Sequence, residues 1–249
     1  MDRERKSMLL IIGIIVFVIV VIVIAQVVDF RDKERQAVQI AQEYLNEKYE
    51  QEMEYKDIRK APIEPGVYHI TFSPAKNPEV EFEVTIPNNL IIPERVRDFG
   101  QSNLSADNYY NKYFEYQMEK YLVADVNRLW GDTASIRVTV MDIDGYFDIP
   151  SELNDTMSIE KMESYITNYW IVIRVDNMPL DNKSLEVLAN KIFDFIQIIN
   201  NEGFTPEGVG YYNISEAENK YTEFSNLGQI ETAAQVLEQL ETEFEKEAK

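Results

Sequence analysis

The chain has 249 residues, with 24 Lys and Arg against 44 Asp and Glu, a formal net charge of -20, one His and no Cys. Without cysteine there is no disulfide framework, thiolate metal site or cysteine nucleophile, and so negative a chain repels polyanions, which excludes nucleic acid as a partner. Nine Gly and nine Pro disfavour long flexible linkers and low-complexity tracts.

Residues 8–28, MLLIIGIIVFVIVVIVIAQVV, carry no charge. As a helix they rise about 31 Å, which matches a hydrocarbon core of about 30 Å. The expectation is a transmembrane anchor over 8–28 behind a cytoplasmic tail, 1–7. The run is longer than a signal-peptide core and no polar stretch precedes Ala25, so it reads as uncleaved. Arg3, Arg5 and Lys6 precede it and Arg31, Lys33 and Arg35 follow it. The free amino group tips this even tally toward a cytoplasmic amino terminus and an extracytoplasmic body, with the cell membrane as the location.

The body reads as two α+β units, 29–105 and 106–249. Residues 34–51 place Ala37, Val38, Ala41, Tyr44 and Leu45 at helical spacing. Strands follow at 54–59, 67–72 and 80–86, separated by PIEPG and SPAKNP, which supply turn residues. Pro87, Pro93, Gly100 and Ser102 mark the boundary. A long helix over 106–130 carries the stripe Tyr110, Phe114, Met118, Leu122, Val126 and Leu129, with Asp107 in its first turn and Gly131 as its stop. Next come a strand at 134–142, a short helix at 158–166, a strand at 169–175, a helix at 180–200, a strand at 208–214 and a closing helix at 227–246. The fold class expected is α+β: a single N-terminal transmembrane helix followed by two small units, each of helices on an antiparallel sheet.

The anchor followed by AQEYLNEKYEQEMEYKDI, GVYHITFSPAKNPEVEFEVTI and DNYYNKYFEYQMEKYL resembles membrane-anchored extracytoplasmic proteins of low-GC Gram-positive bacteria. In arrangement it is similar to the small α+β modules of the PepSY and cystatin kind. The resemblance covers roughly residues 1–130. It implies an envelope location and a bias away from catalysis, and it assigns no site residue.

Motifs for chemistry are sparse. His69, the single histidine, alternates with Val67 and Thr71 on the less apolar face of a strand and reads as a sheet-face residue. No G-x-S-x-G elbow, H-E-x-x-H pair, G-x-x-x-x-G-K-[ST] loop or G-x-G-x-x-G loop occurs. The acidic turn DIDGYFDIPSE offers Asp142, Asp144 and Asp148 as a weak calcium candidate. Aligning Gly145 with the invariant glycine of the standard loop puts Val140 at its first ligand position and Ser151 at its twelfth, so that loop does not fit. The sequons at Asn103, Asn154, Asn182 and Asn213 matter only in a eukaryotic secretory pathway. Tyr109, Tyr113 and Tyr116 lie beside the apolar stripe of their helix and, if exposed, would form a recognition edge.

These observations point to a single-pass, membrane-anchored extracytoplasmic protein whose acidic body binds another envelope or secreted protein. It carries out no chemistry and needs no cofactor. Its contact edge would be Tyr109, Tyr113 and Tyr116, and the bilayer would be met through 8–28. Two alternatives remain: a membrane-tethered immunity protein neutralising a basic secreted toxin, and an envelope hydrolase using carboxylates or calcium.

Overall fold

The computed structural model describes residues 2–49, 51–60, 67–87, 107–141, 157–166, 168–176, 178, 181–214 and 219–247. It divides into two compact units, Met1–Asp107 and Asn108–Lys249.

Unit 1 starts with α1, a 48-residue helix over Asp2–Tyr49. The strands β1 (Met53–Lys60), β2 (Val67–Pro74) and β3 (Phe82–Pro87) follow and form an antiparallel sheet in the order β1-β2-β3. Alternation decides which face is covered. Tyr68, Ile70, Phe72, Phe82, Val84 and Ile86 are buried together with Ala37, Ile40, Ala41 and Leu45 of α1. His69, Thr71, Glu83 and Thr85 lie on the other face and are half-buried.

The anchor expected over 8–28 is corrected by this structure. Among the described residues no helix is long and apolar enough to cross a membrane. Within this stretch Val16, Phe17, Val18, Ile19, Val20, Val21 and Val28 are exposed. The second half of α1 is amphipathic and belongs to the core of unit 1.

Unit 2 contains α2 (Tyr109–Trp130), β4 (Ala134–Val140), α3 (Ile159–Glu163), β5 (Tyr169–Asp176), α4 (Asn182–Glu202), β6 (Gly208–Ile214), β7 (Asn219–Ser225), a 3-10 turn at Leu227–Gln229 and α5 (Ala233–Glu247). Its sheet runs β4-β5-β6-β7. The expectation of a purely antiparallel sheet fails here, because β5 and β6 are parallel. The chain leaves β5 through α4 and returns in the same direction, as a helical crossover dictates. Tyr169, Ile171, Ile173, Val175, Val209, Tyr211 and Phe224 are buried with Phe114, Leu122, Ile192, Phe195, Ile199 and Leu240. An edge-on contact of Phe114 with Tyr169, 5.2 Å between centroids, places α2 on that face.

Helix α4 is bounded by two local devices. The Asp181 side chain accepts from Ser184 N at 2.9 Å at its start, and Gly203 in the left-handed region closes its end, where Phe204 N donates to Ile199 O.

Several sheet edges are covered. Asp107 bridges Val84 of β3. Glu115 and Glu119 of α2 accept from Val140 N and Val138 N of β4, each at 2.9 Å. The match is geometric: four helical residues rise about 6 Å and two strand residues about 6.8 Å. Gln239 of α5 donates to Glu223 O of β7 at 2.5 Å. On β1, Gln42 donates to Met53 O at 3.0 Å. Among the described residues the edge of 54–59 receives no comparable cover.

Candidate functional site

The residues singled out in the sequence fall in separate places. Tyr109 and Tyr113 are 5% and 6% exposed, with rings 5.8 Å apart, so they do not form an exposed edge. The buried face of α2 is wider than one stripe, since adjacent residues Tyr109 and Tyr110, and likewise Tyr113 and Phe114, are buried in pairs. Tyr116 is half-buried beneath Lys120, whose Nζ stands 5.6 Å from the ring centre. Asp142, Asp144 and Asp148 lie outside the described residues. Among the described residues no group of three or more His, Asp or Glu is placed to hold a metal.

His69 sits in a cross-strand cluster. Its Nδ1 is 2.6 Å from Glu83 Oε1, and Arg59 pairs with the other oxygen of Glu83. These three side chains line up on neighbouring strands of one face and satisfy one another.

Asp107 precedes α2 instead of opening it. Its side chain is fully buried and receives Tyr44 Oη at 2.7 Å, Lys48 Nζ at 2.9 Å and Tyr49 Oη at 2.6 Å. Lys48 also stands over the Tyr44 and Tyr49 rings at 5.4 and 5.0 Å. A buried carboxylate with three donors is satisfied, so this cluster reads as a clamp from α1 to the residue bridged to β3.

The feature best suited to recognition lies on the sheet face of unit 2 opposite the α2-facing core. Register aligns Thr139, Trp170, Gly208 and Ser225 across the four strands, then Arg137, Val172, Gly210 and Glu223, then Ser135, Arg174, Tyr212 and Tyr221. The two glycines are seats for aromatic rings. A Cβ on Gly208 would stand 2.4 Å from Trp170 Cζ3, and one on Gly210 would stand 2.9 Å from Tyr221 Oη. Trp170 and Tyr221 therefore lie across the strand instead of projecting from it. Tyr212 packs edge-on against Tyr221 at 6.3 Å. Tyr221 is 44% exposed, Arg137, Arg174 and Glu223 are exposed, and Trp170, Val172 and Tyr212 are half-buried. The charged residues on these rows and at the end of β5 are Arg137, Arg174, Asp176 and Glu223, a balanced set in a chain of net charge -20.

Sequence reasoning missed this surface. Its signal was GVG inside a strand, since glycine within a strand marks close approach of another group. The identity of that group depends on which strands lie beside β6.

No family model matches the chain, and no curated protein matches it. Among solved structures it is similar to the crystal structure of a DUF5037 family protein from Ruminococcus gnavus, at 16% identity, covering 72% of this chain and 73% of that one, with a TM-score of 0.39. A likeness at that level carries no argument about this chain.

Proposed function

We propose that this protein is a non-catalytic binding module that engages another protein through the β4–β7 sheet face. The observation that carries this reading is the seating of Trp170 and Tyr221 over Gly208 and Gly210. Trp, Tyr and Arg dominate the binding energy of protein interfaces, and Trp170, Tyr212, Tyr221, Arg137 and Arg174 share this face. The half-buried Trp170 ring, held over Gly208, loses little side-chain freedom on binding. The balanced charge of the face suits the charge-poor centre of an interface, while the acidic remainder of the chain keeps it soluble and discourages self-association.

The test places a photoreactive phenylalanine at position 221 of the full chain and, as a control, at position 123, where Val123 is also exposed on α2. In extract of the native cell, position 221 should crosslink to a discrete protein that position 123 does not capture. Arg174→Ala or Tyr212→Ala should weaken the crosslink at unchanged melting temperature. An identical pattern from both positions would overturn the assignment.

A further inference from the structure

In unit 1 a groove of about 780 Å³ runs between α1 and β1, lined by Arg31, Arg35, Val38, Gln42, Tyr55 and Ile58 together with Glu34, Gln39 and Glu43. Its volume falls within the range of about 300–1,000 Å³ typical of ligand sites. The helix wall from residue 31 to 43 is about 18 Å long, the length of a five- or six-residue strand.

Three observations fix the chemistry of its occupant. The first is the backbone: β3 is bridged at Val84, β4 is capped at Val138 N and Val140 N, and β7 is met at Glu223 O, whereas 54–59 of β1 has no such partner among the described residues. Unpaired strand donors and acceptors are met by another extended chain. The second is the floor. The register slips between Tyr55 and Asp57, so Tyr55 opposes Phe72 and Ile58 opposes Ile70. The bulge thereby turns both Tyr55 and Ile58 to the helix side, where Tyr55 remains 45% exposed and Ile58 half-buried. The third is charge. Arg31 has no ion partner among the described residues, and Arg35 reaches only the exposed Asp32, at 3.9 Å. Glu34 shares that end of the groove. Glu43 lies at the far end, where its Oε1 accepts from Gln39 at 2.9 Å. The lining at the Arg31 end carries two arginines against one glutamate, while Glu43 stands at the other end, which gives the groove a direction.

We propose that this groove takes an extended peptide segment of another protein, which adds to the sheet along β1 with apolar side chains over Tyr55 and Ile58 and an acidic group at Arg31 and Arg35. The β1 of a second copy does not fit this description, because its charges Glu54, Lys56, Asp57 and Arg59 are mixed along the strand and supply no acidic end. The site rests on observations within unit 1 and does not depend on the sheet face of unit 2.

The test uses the full chain and two fluorescein-labelled octapeptides of alternating valine and threonine, one ending in Glu-Glu and the other in Lys-Lys. By fluorescence polarisation the acidic peptide should bind about tenfold tighter than the basic one. The double variant Arg31→Glu/Arg35→Glu alters two exposed side chains and should abolish that preference at unchanged circular dichroism. Hydrogen exchange at 54–59 should slow when the acidic peptide is added. Equal affinity for both peptides, binding to neither, unchanged exchange at 54–59, or a dimer in sedimentation that Ile58→Glu dissolves would each overturn the proposal.

Discussion

Two glycines two residues apart on β6 have opposite tolerances, because different atoms stand over them. At Gly208 a Cβ would meet the Trp170 ring at 2.4 Å and Phe224 O, a backbone atom, at 2.6 Å. Neither yields readily, since the indole is half-buried and the carbonyl belongs to the neighbouring strand. Gly208→Ala should destabilise the protein by about 1–3 kcal/mol, the usual result of overpacking. At Gly210 the nearest atom is the phenol oxygen of the exposed Tyr221, which can swing aside. Gly210→Ala should therefore cost under about 1 kcal/mol. Urea melts of both variants check the pair, and equal losses would contradict the seating of the rings. Neither tolerance is legible in the sequence. GVGYYN shows where a strand lies, but the residue above each glycine is set by β5 and β7, which are distant in the chain.

The carboxylates of α2 work at the scale of elements, standing where another strand would otherwise pair with β4. Burial is the main cause that raises the Glu119 carboxyl above its usual value of 4.5, partly offset by the Val138 N–H it accepts. The native state thus holds that proton more tightly than the unfolded chain does. The resulting stability is complete below the unfolded value and is lost as pH rises through the native one, so ionised Glu119 weighs against the fold at pH 7. Glu119→Gln keeps an acceptor for Val138 N and should raise the melting temperature at pH 7 relative to its effect at pH 4. Glu119→Ala removes the acceptor and should cost about 1–3 kcal/mol. Calorimetry at both pH values separates the two, and a Gln variant as unstable as the Ala variant at pH 7 would refute this account.

Elements of this kind differ in how plainly the sequence announces them. Strands β2 and β3 alternate without a break and were legible, as were α2, α4 and β6. Strand β7 was not, because its core-facing residues are Lys220, Thr222 and Phe224, with a single large apolar side chain among them. The bulge in β1 and the paired burial along α2 also escaped, since both depend on the elements packed alongside.

At the scale of the whole molecule, each unit is organised around its own sheet and buried core, and in unit 2 phenols reach deep into the core. Burial pushes the Tyr110, Tyr169 and Tyr211 hydroxyls well above the usual tyrosine value of 10.0. All three donate within unit 2: to Met162 O, Glu163 Oε1 and Met178 Sδ. Their contribution to stability is intact below pH 10.0 and is withdrawn as pH climbs past it, because unfolded tyrosines ionise there while these do not. In an alkaline titration, some of the 15 tyrosines should ionise while circular dichroism is unchanged. The last tyrosinate signal should appear only as secondary structure is lost, and complete ionisation with the fold intact would contradict the burial. Apart from β7, the division into helices and strands was open to sequence reading. The parallel pairing of β5 with β6 was not, since it follows from where α4 returns the chain. The buried clamp on Asp107 has a mechanical meaning. Asp107 is the last residue of unit 1, so tension applied through the chain beyond it is delivered first to one side chain gripped by Tyr44, Lys48 and Tyr49, and to a single backbone bridge to Val84. Those bonds act as a fastener, through which force on the chain at Asp107 passes into α1 and β3.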